Sequence, residues 1–173
     1  IAQRALDAGA IGITCAKLGE AEVMAGAGMR DILIANQIVG PIKTKRLAQL
    51  CRSASVTVAV DDEQNVTELS KAATAHGVTV GVLVDVNIGM QRTGVAPGDA
   101  AVQLSRDVHA SPGLRYLGLM GWEGQATTVT DAGAREHVVR EAIAQLVATA
   151  AQCRNAGLPV EVVSAGGSAT LDT

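Results

Sequence analysis

The chain has 173 residues, enough for a core of domain size. Apolar residues make up 48% of it and charged residues 18%, which excludes a disordered, collagen-like or fibrous protein. The net charge is −3 without a basic cluster, and Trp122 and Tyr116 are the only aromatics, so no nucleic-acid partner is expected.

The first residues, Ile1-Ala2-Gln3-Arg4, already carry an amphipathic helical pattern and do not resemble a signal peptide. A β-branched run at 11–15 predicts the first strand, and one at 31–34 the second. Pro41 suits a first helical turn, and Leu47, Leu50 and Cys51 then form an apolar stripe. A strand is expected at 56–60. Asp61 with Gln64 resembles a capping box for a helix carrying Val66, Leu69 and Ala73. Strand patterns follow at 78–86, 114–120 and 160–163. Between them lie stripes of Ala101/Leu104/Val108 and Val139/Ile143/Leu146/Val147/Ala150. Gly28, Gly77 and Gly157 stand just after helical segments, where a left-handed cap is easiest for glycine. The uncharged stretch 142–153 is shorter than the roughly 20 residues a membrane span needs, so no membrane partner is expected.

Repeated βα units whose strands are too apolar for a wet face predict a parallel sheet covered by helices. An open doubly wound sheet or most of an eight-stranded barrel would satisfy this pattern. A dinucleotide-type glycine turn is missing after the first strand, where Cys15-Ala16-Lys17-Leu18-Gly19 stands instead. The barrel is therefore favoured, with its strand set incomplete. Cys15, Cys51 and Cys153 are odd in number and widely spaced. They argue against a disulfide framework or a zinc site and for a reducing, cytoplasmic setting.

In such a barrel the chemistry gathers at the C-terminal ends of the strands. Those ends carry Cys15 and Lys17, Asn36 and Gln37, Asp61, Asp85 with Asn87, Trp122 with Glu123 and Gln125, and the run Ser164-Ala165-Gly166-Gly167-Ser168. Strand alternation that turns Val80, Val82, Val84 and Val86 to the helices turns Asp85 and Asn87 to the barrel axis. The plainer role for Asp85 is to bond neighbouring backbone groups. Arg92 lies in a loop with Gly89 and Gly94 on either side, which would let its guanidinium reach across the mouth towards an anion. The alternative is a surface arginine. Gly166, Gly167 and Ser168 suggest an anion cradle, although most Gly-Gly turns are merely loops. His76, His109 and His137 fall in helical segments and are read as solvated surface groups.

Several runs carry a resemblance: Thr14-Cys15-Ala16-Lys17-Leu18-Gly19, Asp31-Ile32-Leu33-Ile34-Ala35-Asn36-Gln37, Val86-Asn87-Ile88-Gly89-Met90-Gln91-Arg92-Thr93-Gly94, Gly121-Trp122-Glu123-Gly124 and Val163-Ser164-Ala165-Gly166-Gly167-Ser168. Together they resemble the D-threonine aldolase and D-serine dehydratase-like family, over nearly the whole chain. The resemblance implies an incomplete (β/α)8 barrel of the alanine racemase N-terminal type (fold type III) spanning 1–173, with pyridoxal 5′-phosphate at its mouth. It implies that Arg92 contacts the cofactor's phenolic oxygen and that Gly166, Gly167 and Ser168 form the phosphate turn. Trp122 stands where the family often has tyrosine, and Gln125 where histidine is expected. Glutamine there can hold hydrogen bonds but cannot relay a proton.

The family's Schiff-base lysine is expected upstream of Ile1, and Lys17 matches a later lysine. The first and last barrel strands and a C-terminal β-domain with divalent-metal ligands are also expected outside these residues. The implied reaction is Cα–Cβ cleavage of a small D-3-hydroxy amino acid to glycine and an aldehyde, assisted by that metal. Dehydration of D-serine, a non-catalytic pyridoxal-phosphate carrier and a sugar-phosphate barrel enzyme are the rivals. A homodimer is compatible with the complete protein, and the chain alone is expected to lack lyase activity.

Overall fold

The computed structural model describes residues 1–170. Its strands are β1 (Ile13–Cys15), β2 (Asp31–Gln37), β3 (Ser55–Val60), β4 (Val80–Asp85), β5 (Leu114–Met120) and β6 (Val162–Ser164). The helices are α1 (Ala2–Asp7), α2 (Leu18–Gly26), α3 (Pro41–Leu50), α4 (Glu63–His76), α5 (Asp99–Ala110) and α6 (Ala132–Asn155). Short 3-10 turns cover Gly124–Thr128 and Ser168–Thr170. The strands are hydrogen-bonded in the order β1-β2-β3-β4-β5-β6, without the reversal a doubly wound sheet would show. The pairings of β1 with β2, β2 with β3 and β5 with β6 are parallel.

The chain divides into two compact units, one of Ile1–Val82 with Ala110–Arg115, the other of Leu83–His109 with the residues from Tyr116 onward. In the first, Ile32 pairs with Val56 and Ile34 with Val58, and all four are buried. β2 runs further than its β-branched residues predict. A register irregularity between Ile34 and Gln37 keeps the polar end in the strand. The cap of α4 is Asp62, not Asp61: its carboxyl accepts from the N–H groups of Gln64 at 2.8 Å and Asn65 at 3.1 Å. Val66, Leu69 and Ala73 are the buried stripe, as their spacing predicts, and the helix ends on left-handed Gly77. Asn65 Nδ2 donates to the Ile38 carbonyl at 2.8 Å, and the Gly40 N–H donates to Glu68 at 3.1 Å, fixing the exit of β2 against α4. Cys51 is half-buried just past α3, and burial pushes its thiol up to about 11.

The second unit holds the loops that follow β4, β5 and β6. Its α5 buries Ala101, Leu104 and Val108 as expected. α6 departs from the predicted stripe. Val139, Leu146 and Ala150 are buried, whereas Val147 is 53% exposed, and Ala142, Thr149 and Cys153 complete the inner face. Large apolar side chains are not a sufficient guide to that face, because small residues let the helix approach closely. Thr149 shows the economy of such a position: its Oγ1 donates to the Gln145 carbonyl at 2.8 Å and accepts from the Gly98 N–H at 3.1 Å. No described helix is long and apolar enough to cross a membrane.

The two α6 neighbours give a direct check. Leu146→Ala should cost about 2–5 kcal/mol in urea unfolding, and Val147→Ala within about 0.5 kcal/mol. Equal losses would mean that the sequence-derived stripe, and not the observed face, is buried.

Candidate functional site

Arg92, Trp122 and the Gly166–Ser168 turn all belong to the second unit, on the loops after β4, β5 and β6 respectively. The loop after β4 is tied to its own strand. Asp85 accepts from Thr93 Oγ1 at 2.9 Å, and Asn87 Oδ1 accepts from the N–H groups of Gly89 at 3.1 Å and Gln91 at 3.2 Å. Backbone bonds from Asn87 to Val95 and from Val95 to Asp85 close the loop at its base. Asp85 and Asn87 thus shape the segment that presents Arg92.

The guanidinium of Arg92 lies 5.3 Å from the centroid of the Trp122 ring, within cation–π range. It has no carboxyl partner among the described residues. The indole, 37% exposed, is laid down on Gly124: a Cβ there would stand 2.5 Å from ring atom Cζ3, so only glycine leaves room. The other edge of the ring reaches the turn after β6, where Trp122 Nε1 lies 3.1 Å from the place a Cβ of Gly167 would occupy. One ring therefore joins the exposed cation to the Gly-Gly-Ser turn.

That turn is built on Gly166, whose φ of +95° is natural only to glycine. Its N–H donates to Glu123 Oε2 at 3.1 Å, and the Gly167 N–H donates to Thr170 Oγ1 at 3.2 Å. Two of the donors that a cradle would offer are thus engaged within the protein. Ser168 is exposed, and its hydroxyl and N–H have no partner among the described residues, which leaves them available to a ligand. Gln125 donates from Nε2 to the Ile88 carbonyl at 3.1 Å, while its buried Oε1 has no donor among the described residues. A buried acceptor left unpaired costs about 1–3 kcal/mol, so this oxygen is suited to a ligand N–H or O–H.

The family model for the alanine racemase N-terminal domain matches residues 1–172. The chain belongs to that family. It is 36% identical over 161 residues to a 3-hydroxy-D-aspartate aldolase of Paracoccus denitrificans, covering 92% of this chain and 42% of that protein. It is 35% identical over 173 residues to a D-threonine aldolase of an Arthrobacter species, covering 99% and 45% respectively. The crystal structure of D-threonine aldolase from Filomicrobium marinum matches with a TM-score of 0.95 and 41% identity, over 97% of this chain and 46% of that one. The chain thus spans less than half the length of these relatives. The fold is that of the alanine racemase N-terminal domain, and the incomplete (β/α)8 barrel read from the βα repeat is correct as a fold class.

Other strand-end residues of this alanine racemase N-terminal domain carry less chemistry. Lys17 caps the start of α2, is 75% exposed and lies 3.9 Å from Glu20. Cys15 is buried, and burial followed by the nearby Glu20 raises its thiol above the ordinary range, which disfavours a nucleophile. His76, His109 and His137 are all on helices, as expected. Sequence reasoning placed Glu123 at a strand end without giving it a role, and gave none to Thr170. Glu123 is 1% exposed, and its Oε1 accepts from Thr170 Oγ1 at 2.6 Å. A carboxyl between a tryptophan and a glycine at a strand end was the available signal.

Trp122 is the only tryptophan in the chain, so its emission reports this site alone. Arg92→Ala should uncover one face of the indole and raise the acrylamide quenching constant. An unchanged constant would mean that the guanidinium does not rest on the ring in solution.

Proposed function

We propose that this chain is the pyridoxal-5′-phosphate-binding barrel portion, over 1–173, of a lyase that cleaves small D-3-hydroxy amino acids to glycine and an aldehyde. The observation that carries the reading is the meeting at Trp122 of Arg92, over the ring, and Gly167, beside its Nε1 edge. An exposed cation, a flat apolar ring and a turn with spare donors suit a planar cofactor with a phosphate at one end and a phenolic oxygen on its ring. The relatives named as aldolases support the reaction class.

The residues present fit that cofactor. Bound pyridoxal phosphate supplies an electron sink for charge developing at the substrate's α-carbon. Ser168 donates its hydroxyl and N–H to the phosphate, beside the turn formed by Gly166 and Gly167. Arg92, permanently charged, holds the phenolic oxygen in its unprotonated form. Trp122 shields the site from water on one side. Gln125 Oε1 accepts an N–H or O–H from the substrate side. Its amide holds a proton donor in place but cannot take the proton, so that transfer falls to another group.

The covalent lysine anchor, in this reading, lies outside the 173 residues, as do the ligands for a divalent metal. Among the described residues no group of three or more His, Cys, Asp or Glu is placed to hold a metal ion. Cytoplasmic location and a homodimeric longer protein belong to the same proposal. Dehydration is distinguished by its products, a keto acid and ammonia in place of glycine and an aldehyde.

The test is binding by the chain itself. Pyridoxal phosphate should quench Trp122, and Arg92→Ala should weaken that binding by about tenfold or more, the loss of a charge-assisted contact. Borohydride treatment followed by peptide mapping should leave Lys17 unmodified. Stoichiometric labelling of Lys17, or no quenching at all, would overturn the proposal.

A further inference from the structure

Glu123 is the most deeply buried acidic side chain at the site, at 1% exposure, yet it points at no cation. Both its oxygens are taken up by the segment after β6. Oε2 accepts from the Gly166 N–H at 3.1 Å and Oε1 from Thr170 Oγ1 at 2.6 Å. Thr170 Oγ1 in turn accepts from the Gly167 N–H at 3.2 Å, and the Thr170 N–H donates to the Gly167 carbonyl at 3.0 Å. The carboxyl, the hydroxyl and the two glycine N–H groups are thus linked to one another. Ser168 lies between Gly167 and Thr170 and is left out of this linkage. A glutamate with both oxygens satisfied from the turn acts as a strut beneath that turn.

The turn needs such a strut. It contains two consecutive glycines, the residues that lose most backbone freedom on ordering, and its own side chains supply one hydroxyl at Ser168. The residue before Glu123 is Trp122, whose Nε1 edge stands 3.1 Å from where a Cβ of Gly167 would be. Two adjacent residues of the loop after β5 therefore grip the turn, one through hydrogen bonds and one through a ring.

We propose that Glu123 is a positioning residue for phosphate binding: it fixes Gly166 and Gly167 through Thr170 so that the Ser168 donors face the phosphate. The proposal rests on the cofactor reading above. Glu123 does not touch the ligand. It acts on the phosphate end alone, and the ring end, held by Arg92 and Trp122, does not depend on it.

The experiment compares pyridoxal 5′-phosphate with pyridoxal, which lacks the phosphate, using Trp122 quenching of the chain and of its variants. Glu123→Gln keeps the size but replaces one acceptor with a donor that faces a donor. It should weaken pyridoxal phosphate binding by about tenfold or more, as loss of an outer hydrogen-bond partner does at metal sites, and leave pyridoxal binding unchanged. Thr170→Val should reproduce the effect, and Thr170→Ser, which restores the hydroxyl, should reverse it. The threonine pair serves even if the glutamate variant does not fold. Equal weakening of both ligands, or no weakening of either, would overturn the positioning role. Failure of the unsubstituted chain to bind either ligand would sink the cofactor reading instead, and this inference with it.

Discussion

The chain has one tyrosine, one tryptophan and no phenylalanine, and this scarcity governs how it is built. Tyr116 is the one ring in the core, so most burial must come from Ala, Val, Leu and Ile brought close together. Ile32, Ile34, Val56, Val58, Leu69 and Leu146 are accordingly buried at 2% exposure or less. Aliphatic side chains on parallel strands do this well, because β-branched residues pack on a pleated surface and both faces are covered. The single tryptophan is not spent on the core. It lies half-open at the strand ends, where its flat ring organises the loops that carry the polar groups.

The same economy explains which parts of the fold were legible in the sequence. Val66, Leu69 and Ala73 repeat at helical spacing and are buried, because nothing competes with the pattern. The strands were readable as β-branched runs, and their order followed from the βα repeat. Boundaries were less so. The polar Asn36 and Gln37 stay in β2 although they lack strand character, because a register irregularity accommodates them. Among the described residues β6 pairs with β5 alone; it is three residues long and starts two residues later than the apolar run that predicted it. The cap of α4 could not be told from composition, since Asp61 and Asp62 differ only in which one turns its carboxyl to the helix.

At the candidate site the exposed, chemically distinctive residues were readable and the buried ones were not. Arg92 between glycines and the Gly-Gly-Ser turn stand out by type and spacing. Glu123 does not, because a glutamate at a loop looks solvated until the fold brings Gly166 and Thr170 to it. Thr170 sits past the motif, and its role depends on a 3-10 turn of three residues. Gly124 looks like a turn residue, whereas its use is to leave space for a ring.

The loop after β4 bears Arg92 without leaning on any ligand. Its base is closed by Asn87 and Val95, its middle by the Asn87 side chain, and its far limb by Thr93 on Asp85. The ordering cost of those residues is met when the chain folds, by bonds that persist whether or not an anion is present. A ligand arriving at the guanidinium would find a rigid arm, and its binding entropy would carry little charge for immobilising backbone. Calorimetrically, such an arm belongs with preorganised receptors and not with segments that fold on contact.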